Sequence, residues 1–65
     1  MKFRKEKVDR ILLSLNTELI FYRNKHSLSI IAKMRYLKDK LEFYKKLDDY
    51  DLKYLNTRGV DVYSK

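Results

Sequence analysis

Apolar residues recur along most of this chain at alternating steps of three and four. Val8, Leu12, Leu15, Leu19 and Tyr22, with Ile11 beside them, fall on one face of a 3.6-residue helix. The spacing predicts a first helix over about residues 5–23. Leu13 and Ile20, seven apart, make a second and narrower stripe on another side. The pattern repeats further along. Ile30, Met34, Leu37, Leu41 and Tyr44 form the main stripe of a second helix over about 29–47. Ala32, Tyr36, Phe43 and Leu47 form another stripe, richer in aromatics, with Lys33 and Lys40 between the two. A helix with two apolar stripes needs two neighbours.

The register fails between these segments. Continuing the first heptad puts His26, Ser29 and Lys33 where apolar residues belong. Asn24 tolerates left-handed backbone and can end a helix. Arg23 and Lys25 suit a helix C-terminus electrostatically, and Ser27 or Ser29 can cap the next helix. A turn is therefore expected at 24–28, with one long helix through this point as the alternative. The second pattern breaks at Asp48-Asp49-Tyr50-Asp51. Aspartates favour a helix start, so Asp48 or Asp49 is expected to cap a short third helix over about 49–56 that buries Leu52 and Leu55. Gly59 then serves as a left-handed stop or a turn. Val60-Asp61-Val62-Tyr63 alternates as a strand does but is very short, and residues 57–65 read as a frayed tail.

Proline is absent and Gly59 is the one glycine, so nothing contradicts an all-α chain. The expected fold is an antiparallel helical hairpin with a short third helix, in a single domain over 1–65. Two hairpins with doubled stripes would pack as a dimeric four-helix-bundle-like assembly. Size points the same way: a 65-residue chain buries a small core, and such chains recruit disulfides, metals or partners. With no cysteine and one histidine, self-association is the remaining route, so a homodimer is expected. The uncharged runs, such as Ile11 to Thr17, are too short to span a bilayer. The charged N-terminus lacks the apolar stretch of a signal peptide. The expectation is a mature, soluble, cytoplasmic protein with no membrane partner.

Charge narrows the function classes. Sixteen basic residues against nine acidic ones give +7 and a pI of about 9.7. Lysines and arginines along a helix neutralise phosphate charge and release counterions. The candidate nucleic-acid-binding residues are Lys33, Arg35, Lys38, Lys45 and Lys46, with the N-terminal arm Lys2, Arg4, Lys5, Lys7 and Arg10. The competing reading is a solvated face, because Lys38 with Glu42, Glu42 with Lys45, and Arg35 with Asp39 are at ion-pair spacing. No helix-turn-helix, zinc-finger or RNP signature sharpens the nucleic-acid reading. The candidate protein interface is the secondary stripes: Leu13, Ile20, Tyr36, Phe43 and Leu47, with Tyr36 and Phe43 as the central pair. Tyr22 and Tyr44 read as packing residues.

Catalysis finds no support. His26 stands alone in an expected exposed turn. The aspartates at 48–51 lack the glycine and distal glutamate of an EF-hand loop. A hairpin of this size has no room for an ordinary substrate pocket. No catalytic residue, metal ligand, cofactor or small-molecule substrate is expected. The chain resembles, in size and hairpin architecture, a family of short phosphatases from sporulating bacteria whose second helix carries Ser-Gln-Glu-Leu-Asp. Here the nearest segment is Arg35-Tyr36-Leu37-Lys38-Asp39. Only the aspartate agrees, so no functional residue carries over. The expected function is that of a small regulatory or accessory protein, a basic homodimer contacting nucleic-acid phosphates. The alternative is a protein-binding regulator or inhibitor acting through an aromatic helix face.

Overall fold

A computed structural model of the chain describes residues 2–63. They form three helices, α1 (Lys5–Asn24), α2 (Leu28–Tyr44) and α3 (Asp49–Thr57). The turn at residues 25–27 sends α2 back along α1, giving the antiparallel hairpin, and it rules out the single long helix. The main stripes meet as their spacing requires. Val8, Ile11 and Leu15 of α1 and Met34, Leu37 and Leu41 of α2 are buried together, with Leu12, Leu19, Tyr22 and Ile30 packed partly against them.

All three helices end on a residue with left-handed backbone, and only one of these is glycine: His26 (φ 57°), Lys45 (φ 52°) and Gly59 (φ 95°). After α1, the Ser27 N–H donates to the Tyr22 carbonyl at 3.1 Å and the His26 N–H to the Arg23 carbonyl at 3.0 Å. After α3, the Val60 N–H donates to the Leu55 carbonyl at 3.0 Å and the Gly59 N–H to the Asn56 carbonyl at 3.1 Å. These paired bonds are the Schellman closure, which satisfies orphan carbonyls at a helix end. At α2, the Lys45 N–H still donates to the Leu41 carbonyl at 2.8 Å before the chain turns away. The left-handed residue of the first turn is thus His26 rather than Asn24. Ser27 occupies the cap position of α2, but its side chain makes no capping bond. Asp48 does cap α3, its Oδ1 accepting from the Asp51 N–H at 2.8 Å.

The left-handed turn at Lys45 ends α2 three residues before the expected boundary at 47 and reassigns Leu47. On a continued helix, Leu47 would lie on the outer side with Tyr36. After the turn it drops into the core at 0% exposure. Leu47 is therefore a core residue and not part of a protein interface. Tyr44, expected to pack, is exposed instead.

The tail is corrected as well. The Schellman closure at Gly59 turns the chain back, and Val60 and Val62 are buried at 1% and 2% exposure against Leu55 and the rest of the core. The Asp61 N–H donates to Ser14 Oγ at 2.8 Å, and the Tyr22 hydroxyl donates to the Arg58 carbonyl at 3.2 Å, tying the segment to α1. Residues 58–62 are a packed strap that follows α3; Ser64 and Lys65 of the expected tail lie outside the described residues. At the other end, Phe3 is buried, its N–H donating to the Lys45 carbonyl at 2.8 Å. Together α3, Phe3 and the strap cover one face of the hairpin. The opposite face, between α1 and α2, stays open.

Candidate functional site

The fold separates the candidate basic residues into three groups. The first gathers at the mouth of the hairpin. Residues 2–4 run extended beside the segment that leaves α2, and Lys2 stands directly opposite Lys46 in an isolated antiparallel bridge. Arg4 and Lys5 follow on one segment and Lys45 precedes on the other, so five exposed basic residues, Lys2, Arg4, Lys5, Lys45 and Lys46, lie on the two segments that meet at the mouth. Among the described residues, none of the five has a carboxylate partner within ion-pair distance. Like charges directly opposite each other on paired segments are destabilising, so this arrangement costs stability in the absence of a counter-anion.

The second group lies on the open face. Here α1 and α2 flank a groove of about 600 Å³. Leu19, Ile20 and Ile31 supply its apolar lining, and Arg23, Arg35 and Lys38 supply its charge, with Asn16 between them. The structure thus separates Arg35 and Lys38 from Lys45 and Lys46. The ion pairs that would make this a neutralised face do not form: neither Arg35 with Asp39, nor Lys38 with Glu42, nor Glu42 with Lys45 closes to a salt bridge.

The third group is engaged elsewhere. The Lys33 ammonium sits 5.6 Å from the centre of the Tyr54 ring, which also carries the Arg58 guanidinium at 5.0 Å. Cation–π contacts of this kind tie α2 and the strap to α3. Lys7 and Arg10 lie on α1 and interact with other groups of the chain. Lys33 is thus placed on Tyr54 and does not line the groove.

Of the expected interface residues, Leu13, Ile20, Tyr36 and Phe43 are exposed, Tyr36 at 60% and Phe43 at 79%. They do not form one patch. Ile20 lines the groove, whereas Tyr36 and Phe43 lie on the outer side of α2 with Asp39, Lys40 and Tyr44. Lys40 joins α2 to α3: its ammonium donates to Asp51 Oδ2 at 2.7 Å and lies 3.9 Å from Asp48 Oδ2. The hydrogen bond to Asp51 holds the Lys40 ammonium above the usual lysine range. The Asp51 backbone N–H, donating to the Asp48 carboxylate, lowers the Asp48 pKa. The acidic segment is therefore occupied in building the start of α3. Among the described residues, no three His, Cys, Asp or Glu side chains gather as a metal site requires. No described helix is long and apolar enough to cross a membrane.

Sequence reasoning missed Arg23 and Tyr44. Arg23 stands three residues after Ile20 and so shares its side of α1, which is a usable signal once the groove is suspected. Tyr44 fitted the core stripe by spacing alone, and no local signal placed it outside. No protein-family model matches the chain, and neither a curated protein nor a solved structure matches it significantly.

Proposed function

We propose that this is a small non-enzymatic regulatory or accessory protein of the cytoplasm that binds nucleic-acid phosphates through the mouth of its hairpin. The observation that carries the reading is the bridge that sets Lys2 opposite Lys46. It brings together segments about forty residues apart in sequence that carry five cations, none of them closed into an ion pair with a described carboxylate, although Asp48 lies near Lys46. A polyanion converts that repulsion into attraction and releases its own counterions on binding. Contacts of this type go to the backbone and position the protein without reading sequence.

The reading includes self-association through the outer side of α2. Tyr36, Phe43 and Tyr44 are large, exposed and close together on one helix. Exposed apolar patches of this kind mark interaction surfaces, and pairing two of them would double the basic mouths.

The test is fluorescence anisotropy with labelled duplex DNA and single-stranded RNA over a salt series. Binding should fall with a log–log slope of about 0.9 per phosphate contact on duplex. Reversing Lys45 and Lys46 to Glu should weaken binding to all sequences alike, whereas Lys33→Glu should change it little. No binding at low salt, or binding indifferent to the Lys45 and Lys46 reversals, refutes the proposal. A protein-binding regulator acting through Tyr36 and Phe43 is then the reading to pursue.

A further inference from the structure

We infer that the open groove between α1 and α2 is a docking site for an acidic amphipathic helix of a partner protein. The inference is independent of phosphate binding at the hairpin mouth, because it rests on other residues on another face.

Three observations decide the occupant. First, the groove combines apolar lining with cations on both flanking helices. Arg23 stands on α1, Arg35 and Lys38 stand on α2, and Leu19, Ile20 and Ile31 lie with them. Ile20, of the secondary stripe of α1, is 59% exposed there. Second, none of the three cations has a described carboxylate partner, although Asp39 and Glu42 are at the right spacing on α2 to supply one. Third, Ile31 to Lys38 spans about 10 Å of helix axis, or about two turns.

An amphipathic helix meets all three conditions. Its apolar residues at i, i+3 or i+4, and i+7 would lie along Leu19, Ile20 and Ile31, the helix-in-groove mode of recognition. Carboxylates at both edges of that stripe would reach Arg23 on one side and Arg35 and Lys38 on the other. Arginine is suited to the bidentate carboxylate contact. The rival occupants fit less well. A nucleic-acid backbone satisfies the cations and leaves the isoleucines in water. A second copy of this chain, packed groove to groove about a two-fold axis, would set six cations against one another, an arrangement that like-charge juxtaposition disfavours.

The experiment is a titration of the full isotope-labelled chain followed by backbone amide NMR shifts. The probe is a synthetic peptide of about 18 residues, or five turns, with leucines at helical spacing and glutamates beside them. A second peptide of the same composition has its order scrambled to remove the apolar face. The expected result is saturable binding of the first peptide alone, with shifts centred on residues 16–23 and 31–38. Arg35→Glu with Lys38→Glu should weaken that binding at least about tenfold, and Ile20→Glu should do the same. Lys45→Glu with Lys46→Glu should leave it within about twofold, which separates this site from the hairpin mouth. All substituted positions in the groove are partly or fully exposed, and retention of the far-UV helical signal verifies each variant. The shift map of the unmodified chain tests the site without any variant.

Equal binding of the scrambled peptide would overturn the inference in favour of charge alone. So would the absence of saturable binding by the first peptide. Duplex DNA shifting the groove amides more than those of residues 2–5 and 45–46 would make the groove a phosphate surface. A dimer in sedimentation equilibrium that Ile20→Glu dissociates would make the occupant a second copy of the chain.

Discussion

Val60→Ala separates a packed C-terminal strap from a frayed tail. Val60 is 1% exposed, so its two distal methyl groups lie wholly out of water. Removing them forfeits about 0.8 kcal/mol each, and the cavity left behind adds to that loss, giving a total of about 2 kcal/mol. A domain of 65 residues has a stability of only about 3–10 kcal/mol, so the change is large. Urea unfolding of the full chain, followed by far-UV circular dichroism, is the assay. With a denaturant slope near 1 kcal/mol per molar for so small a domain, the midpoint should fall by about 2 M. Tyr63→Ala is the control. Its side chain is exposed, and surface substitutions stay within about 0.5 kcal/mol. If Val60→Ala is as silent as Tyr63→Ala, the strap does not pack and the account of this face is wrong.

Other expectations follow from the same geometry. His26→Gly and Lys45→Gly should each raise stability by about 0.5–1 kcal/mol, the left-handed penalty less the extra chain entropy that glycine loses. Gly59→Ala should lower stability at its φ of 95°, where a Cβ would also stand 3.3 Å from the Glu18 carboxylate; chemical denaturation measures all three. Asp48→Ala should destabilise the protein at pH 7, and the difference should close as pH falls. The native fold lowers this carboxyl's pKa from its ordinary 3.8, so its contribution is present above that value and vanishes once both states are protonated. A stability difference that persists unchanged at pH 2 would argue against the cap. Sedimentation equilibrium at micromolar concentration should show a dimer that Phe43→Glu dissociates without loss of helix; a monomeric wild type refutes pairing through the outer side of α2.

Periodicity alone determined the helices. The three-four steps of Val8, Leu12, Leu15 and Leu19, and of Ile30, Met34, Leu37 and Leu41, reach the core because a 3.6-residue helix puts them on one face whatever surrounds it. The start of α3 was equally legible, since a capping aspartate bonds an amide only three residues away. Those are local facts, and local sequence carries them. The closure at Gly59 was half legible: a glycine followed by valine after a leucine-bearing helix is the pattern of a Schellman end with its apolar contact, yet the short alternating segment beyond it read as a tail.

Tertiary structure decided what local spacing could not reach. A left-handed turn at Lys45, a residue with no special preference for it, moved Leu47 from the outer stripe of α2 into the core, while Tyr44, the last residue of α2, is exposed. The covering of one hairpin face by α3, Phe3 and the strap fixed which apolar stripes stayed open, so Ile20 lines a groove while Tyr36 and Phe43 lie apart from it. The division of the basic residues into a mouth cluster and a groove depends on Lys2 meeting Lys46 across the whole hairpin. Charge along a chain is a one-dimensional record. A surface is made by contacts between distant segments, and no periodicity within either segment encodes which of them will meet.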